Sequence, residues 1–440
     1  MYGSFFLLIF LLCLAFSKAG SIKIVLSNKP RYSMLSWSSM LFAAGIGATL
    51  LYWSTIEWIE YYNILQTNKN LSEIEILEYS RAYPVFHWGF TAWAIYCLPV
   101  VAFGLALSLR PDSNLTFSGI LQIKNNLYRF ILDVLFIGAI ICGAGVGLGL
   151  SFPLISSVIS KIFLIERTAM LDIATIVSCS IIFGTSAYLG VQNGIRRLSN
   201  LNIVLVILFL LFVLIKGPTS YILSNSFDTL IFYSKNYINM SLSTGTKISL
   251  DWTVFYWAWW FALAPMIGTF LINISNEKTL RQIILGTILI GSLGCTISML
   301  ILSNLSISLY ETGLINSPDI IKNNLISRED LVVNTISTIN SGYFLLITFT
   351  LILIIFLCTT YDSATYVLAS ASMKSSNMTS SKMLRVLFAI LLVIQPTLLM
   401  YLNGIDSFKW IMVIFSIPLL FIYILLINSI IKNVYTIKRS

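Results

Sequence analysis

Two short stretches of this 440-residue chain gather aromatic rings at spacings that suit cation binding. HWGFTAWAIY carries Trp88, Trp93 and Tyr96, and DWTVFYWAWW ends on Trp259 and Trp260. Aromatic faces attract a cation held within about 6 Å of the ring centroid, worth roughly 0.5–2 kcal/mol per ring and more when desolvated. They need no hydrogen bond to do so. That matters for one ligand class, because a quaternary ammonium head has no N–H to donate. Aromatics at the ends of membrane spans also form interfacial belts. A belt explains five rings concentrated in two short segments less well.

The elements that must hold these rings are membrane helices. Hydrophobic residues make up 57% of the chain and charged residues 10%, against about 25% charged in a soluble domain. A span needs about 20 apolar residues. About eleven are expected, near 3–18, 36–59, 83–108, 131–153, 171–190, 201–216, 252–273, 281–308, 341–370, 383–402 and 408–430. The fold class expected is an all-α polytopic membrane protein, multi-pass in the cell (inner) membrane and surrounded by lipid. The net charge of +9 reflects the cytoplasmic excess of Lys and Arg, not nucleic-acid binding. Lys18, Lys23, Lys29 and Arg31 mark an inner loop, Glu73, Glu75 and Glu78 an outer one, and the alternation continues to Lys432, Lys438 and Arg439. This orientation puts the N-terminus outside. All six cysteines fall in expected spans without metal-ligand spacing and read as small apolar packers. The first 18 residues lack a basic n-region and are expected to stay as a helix rather than be cleaved as a signal peptide.

Two spans carry residues that break helices. LFAAGIGATLL contains Gly45 and Gly47, and WAWWFALAPMIG contains Pro265 and Gly268. Interrupted helices at matching places in two halves point to a transport site at the bilayer midplane, where unwound backbone offers carbonyls to cations and amides to anions. Against this, Gly and Pro are common in membrane helices and serve close packing. The matched pair divides the chain into an extra helix and cytoplasmic loop (1–35), a first five-helix repeat (36–217), an extracellular loop with an interfacial helix (218–250), a second five-helix repeat (251–431) and a short cytoplasmic tail (432–440). The polar stretches 64–80, 109–127, 217–250 and 308–340 are expected as loops, with an amphipathic interfacial helix within 225–240.

The segments SMLFAAGIGATLLYW, FHWGFTAWAIY, GIRRLSNLNIVL, DWTVFYWAWWFALAPMIGTFL and TTYDSATYVLAS resemble the betaine/choline/carnitine transporter family over nearly the whole chain. The resemblance implies the inverted five-helix repeat of the leucine-transporter-like fold. It also implies alternating-access import of glycine betaine, choline or carnitine, often coupled to sodium, by a homotrimer. Carried over by position, the aromatic box is Trp88, Trp93 and Tyr96 with Trp260, and Trp259 beside it. At 100° per residue the first three fall within an arc of roughly 140°. Trp257 is expected at a second, cytoplasm-facing stop. A substrate carboxylate would meet the amides of Gly45, Ile46 and Gly47. Thr49 matches neither the Asp of choline-selective relatives nor the Gly of betaine-type ones, so it does not name the substrate.

The resemblance further implies one sodium site, with carbonyls of Ala43, Ile46 and Phe356 and side chains of Thr359 and Thr360. Oxygen donors are what a hard cation requires, although paired threonines also bond back to their own helix. Ile203 stands where sodium-independent exchangers of the family place an arginine. Val146 and Leu150 lack the hydroxyls of a second sodium site, and Leu263 replaces a further aromatic. The family's first span and long charged tails find no counterpart here. His87, the single histidine, is expected to hold a structural hydrogen bond, Asp362 to support the hydroxyl site, and Glu57 and Glu60 to lie on a solvated face. No nucleophile–base pair, metalloenzyme spacing or phosphate loop is present, so no enzymatic activity and no cofactor are expected beyond Na+ as coupling ion. Two alternatives stay open: sodium-independent exchange or proton symport of the same substrates, and a non-transporting substrate sensor or decayed paralogue.

Overall fold

Apolar runs with no water to satisfy their backbone must close their own hydrogen bonds, which makes them helices. The computed structural model describes residues 1–26, 30–44, 47–189, 192–340, 342–373, 382–401 and 404–439. The helices are α1 (Tyr2–Phe16), α2 (Met34–Ala44), α3 (Ala48–Leu65), α4 (Glu73–Trp88), α5 (Phe90–Leu109), α6 (Phe117–Leu121), α7 (Asn126–Phe163), α8 (Ala169–Leu189), α9 (Gln192–Lys216), α10 (Thr219–Leu242), α11 (Val254–Ile274), α12 (Leu280–Glu311), α13 (Ser317–Lys322), α14 (Arg328–Ser337), α15 (Gly342–Ala371), α16 (Lys382–Tyr401) and α17 (Gly404–Arg439). Among the described residues, the β structure is one isolated antiparallel bridge, Lys23 with Thr279.

Helix occupies each stretch expected to span. By length and apolarity, six helices among the described residues qualify, or seven if a bent pair counts as one. The expected count of eleven is therefore not reproduced. Some of the other stretches are short, such as the 15 residues of α1, and one is split between α2 and α3. All four of the expected loops also contain helix, the shortest being α6 inside 109–127. Ser72 and Glu75 form a capping box that starts α4 inside 64–80. Ser327 caps α14 through Asp330 N. The interfacial helix is longer than 225–240, running over Thr219–Leu242 and turning 110° from α9 at Gly217–Pro218. Caps and a buried face stabilise these helices, and average polarity does not show that.

Partners repeat across the two halves. Helix α11 packs on α5 as α3 packs on α12, and α7 pairs with α15 and α8 with α16. The starts of α4 and α12 match too, since Thr279 and Gln282 form a second capping box. At the centre, α5 is buried from Thr91 to Leu107 and is flanked by α11, α12, α17 and α1.

The two expected breaks fare differently. Helix α2 ends at Ala44 and α3 begins at Ala48 after an extended Gly47 (φ −137°, ψ 171°). Gly45 and Ile46 lie outside the described residues. The second break does not form: α11 runs unbroken through Pro265. Gly268 there is a packing residue, because a Cβ on it would lie 2.7 Å from Pro99 Cβ of α5. The interruption that does occur is at Gly89, between α4 and α5. A π-helical turn at Ser249–Thr253 leads into α11.

Candidate functional site

A cavity of about 450 Å³ lies among α2, α3, α4, α5, α7, α9, α11 and α15. Its wall contains Trp88, Trp93, Tyr96, Trp259 and Trp260, all five rings expected from the sequence. Gly89 ends α4 directly after Trp88, so Trp88 and the α5 pair Trp93 and Tyr96 reach the same space from either side of one non-helical residue. From α11, Trp260 meets all three: ring centroids are 4.3 Å from Tyr96, 5.6 Å from Trp88 and 6.0 Å from Trp93. These are tilted or edge-to-face contacts, the arrangements aromatic quadrupoles prefer. They also allow one cation to sit within reach of several rings. Trp259 lies 5.9 Å from Trp88, and its indole donates to the Gly143 carbonyl at 3.0 Å, fixing α11 to α7.

Two other parts of the lining bear on an ion or a polar group. Gly47, Ala48 and Thr49 line the cavity at the start of α3, where a helix N-terminus favours an anionic group. Phe356, Thr359 and Thr360 of α15 line it too. The Thr359 hydroxyl donates to Ile355 O at 3.0 Å and to Phe356 O at 3.2 Å, bonding to its own helix. Ala43 is in α2 near its end, and Ile46 and Gly45 fall outside the described residues. Ile203 and Leu263 border the cavity as apolar side chains. Val146 and Leu150 are buried aliphatics on α7, so they supply no second hydroxyl site.

A family model described as "BCCT, betaine/carnitine/choline family transporter" matches residues 1–439. The chain belongs to this family. It is 28% identical to a carnitine transporter of Acinetobacter baumannii, over 97% of this chain and 79% of the relative. It is 27% identical to the glycine betaine transporter OpuD of Bacillus subtilis, over 100% of this chain and 88% of the relative. Among solved structures, that of a Na+-coupled sialic acid symporter in its substrate-bound outward-open state covers 90% of this chain and 85% of its own, with TM-score 0.48 and 13% identity. The family consists of integral membrane transporters, not enzymes, and the long apolar helices are those of a multi-pass membrane protein.

Three further residues named from the sequence lie outside the cavity wall. Trp257 does not border the cavity; its ring packs on Phe86 at 5.5 Å and on His87 at 5.8 Å. It lies one turn before Trp260 on α11. Glu57 is 0% exposed rather than solvated, and its Oε2 accepts the Trp88 indole N–H at 2.8 Å. Glu60 is half-buried and pairs with Arg328 of α14 at 2.8 Å. His87, also 0% exposed, is hydrogen-bonded to Tyr61 and Thr253, as its expected structural role requires. Sequence reasoning missed Glu57 because a glutamate near the end of a span usually faces water. The available signal was its spacing to Tyr61, an i to i+4 pair on one helix face.

Proposed function

We propose that this transporter imports a quaternary ammonium compound, namely glycine betaine, choline or carnitine, coupled to sodium. The trimethylammonium head would sit against Trp88, Trp93, Tyr96 and Trp260. The observation that carries this reading is the convergence of four rings from three helices on one cavity that Thr359 and Thr360 also line. A carboxylate or hydroxyl at the other end of the substrate would face the first turn of α3. The donor chemistry suits sodium: two hydroxyls, and carbonyls at the end of α2 and on α15, are the oxygen ligands a hard cation takes. The repeats 36–217 and 251–431 would move against each other around this cavity. A homotrimer would use α10, whose Leu223, Phe227, Ile231 and Ile238 form an exposed apolar row.

Sodium-independent exchange is the second reading, and the Thr359 hydroxyl bonded to its own helix is the observation on its side. Uptake of labelled betaine, choline and carnitine into cells expressing the chain, with Na+ or K+ outside, separates the two. Flux of one substrate only with Na+ supports symport and names the substrate. Equal flux in both salts supports exchange or proton coupling. No flux of any of the three, with the protein verified in the membrane, refutes the transport reading and favours a sensor.

A further inference from the structure

Behind the aromatic cavity lies a second layer that the binding reading does not use. Glu57 of α3, Tyr61 of α3 and His87 of α4 are each 0% exposed. The two carboxylate oxygens of Glu57 are engaged separately. Oε2 accepts from Trp88 Nε1 at 2.8 Å, and Oε1 accepts from the Tyr61 hydroxyl at 2.5 Å. Tyr61 has one hydroxyl proton and directs it to Glu57, so His87 Nδ1 is the donor across the 2.7 Å contact to the Tyr61 oxygen. His87 Nδ1 also lies 3.3 Å from Glu57 Oε1, and its Nε2 meets the Thr253 hydroxyl over 2.9 Å. Thr253 ends the π-helical turn that leads into α11, the helix of Trp259 and Trp260.

We propose that Glu57 is the positioning residue of the aromatic box. It holds Trp88 directly and ties the start of α11 to α3 and α4 through Tyr61, His87 and Thr253. This rests on the reading of the cavity as a quaternary ammonium site. Two physical effects follow from the geometry. A buried polar network with every member bonded has one arrangement, so the Trp88 ring is fixed before the ligand arrives. A carboxylate accepting the indole N–H also pushes electron density into the ring and makes its face more negative. Cation–π attraction depends on that face, so Glu57 strengthens the grip on a cation without touching it. The effect acts on charge: a neutral ligand of the same shape would not feel it.

The test compares each cation with its uncharged-head carbon isostere. Choline is paired with 3,3-dimethylbutan-1-ol and glycine betaine with 3,3-dimethylbutanoate. Binding to the purified full chain in nanodiscs is read by tryptophan fluorescence. In Glu57→Gln, which keeps a carbonyl oxygen for the indole but removes the charge, the preference for the cation over its isostere should fall about fivefold. In Glu57→Ala both ligands should weaken, because Trp88 is no longer held. Equal loss of cation and isostere in Glu57→Gln would mean an ordinary packing role and overturn the proposal, as would no change. Trp260→Ala measured alongside separates the two readings. If it binds choline and betaine as the wild type does, the box itself is wrong. If it loses them while Glu57→Gln keeps full discrimination, only the role of Glu57 is wrong. Should Glu57→Ala fail to fold, the Glu57→Gln result decides alone.

Discussion

Replacing Trp260 by alanine probes the core of the site, because this ring touches every other member of the box. Its centroid lies 4.3 Å from Tyr96, 5.6 Å from Trp88 and 6.0 Å from Trp93. Removing it deletes one cation–π partner, worth about 1–2 kcal/mol in a desolvated site. It also deletes three aromatic contacts of about 0.5–1.5 kcal/mol each, so the remaining rings lose a fixed orientation. Part of that second loss falls on folding rather than binding. A binding penalty of about 2–3 kcal/mol is reasonable, and at 1.4 kcal/mol per tenfold it weakens affinity roughly 30- to 150-fold. Truncating a buried Trp costs about 3–5 kcal/mol of stability, so Trp260→Phe serves as the companion variant. It keeps a face and should lose less than about tenfold. The assay is the concentration dependence of labelled-substrate uptake, with membrane abundance measured in parallel. Wild-type affinity in Trp260→Ala at normal abundance would refute the box.

Other variants test the remaining parts. Thr359→Ala with Thr360→Ala should remove the stimulation of uptake by Na+, and uptake that still rises with Na+ would place the ion elsewhere. Trp257→Phe should leave KM within about twofold, since the ring packs on Phe86 and His87 outside the cavity; a large KM rise would restore Trp257 to the binding path. Gly291→Ala would put a Cβ 2.3 Å from Trp93 Cε3 on the side of that ring facing α12. Overpacking of this kind costs about 1–3 kcal/mol, so both thermal stability and substrate affinity should fall. Lowered stability with unchanged affinity would mean that Trp93 does not set the site.

Much of the site was legible before any coordinates. Five aromatic residues in two segments all reached one cavity: spacing within each segment keeps its own rings together, and the packing of α11 on α5 brings the two groups face to face. Of the glycine run, Gly47 is extended directly before α3, as expected of a residue that favours non-helical backbone. Pro265 and Gly268 carried the same kind of signal and gave no break. Whether such residues interrupt a helix or admit a neighbour depends on what lies opposite, and for Gly268 that is Pro99, more than 150 positions away in the chain. The reverse error occurred at Gly89, a single glycine with no Pro beside it, where α4 does end and α5 begins.

The sequence alone determined the membrane setting, the approximate helix positions and the ring types available for a cation. These are local quantities, averages of apolarity or spacings along one helix. Only the tertiary structure decided that α10 runs over the whole of Thr219–Leu242, that α14 is a helix in a polar stretch, that Trp257 turns away from the cavity, and that Glu57 is buried against Trp88. Each of those depends on which helices meet. Glu57 has the composition of a water-facing residue. Its environment comes from Trp88 and His87 on α4 and from Thr253 before α11, and that convergence of distant segments leaves no periodic signature in the chain.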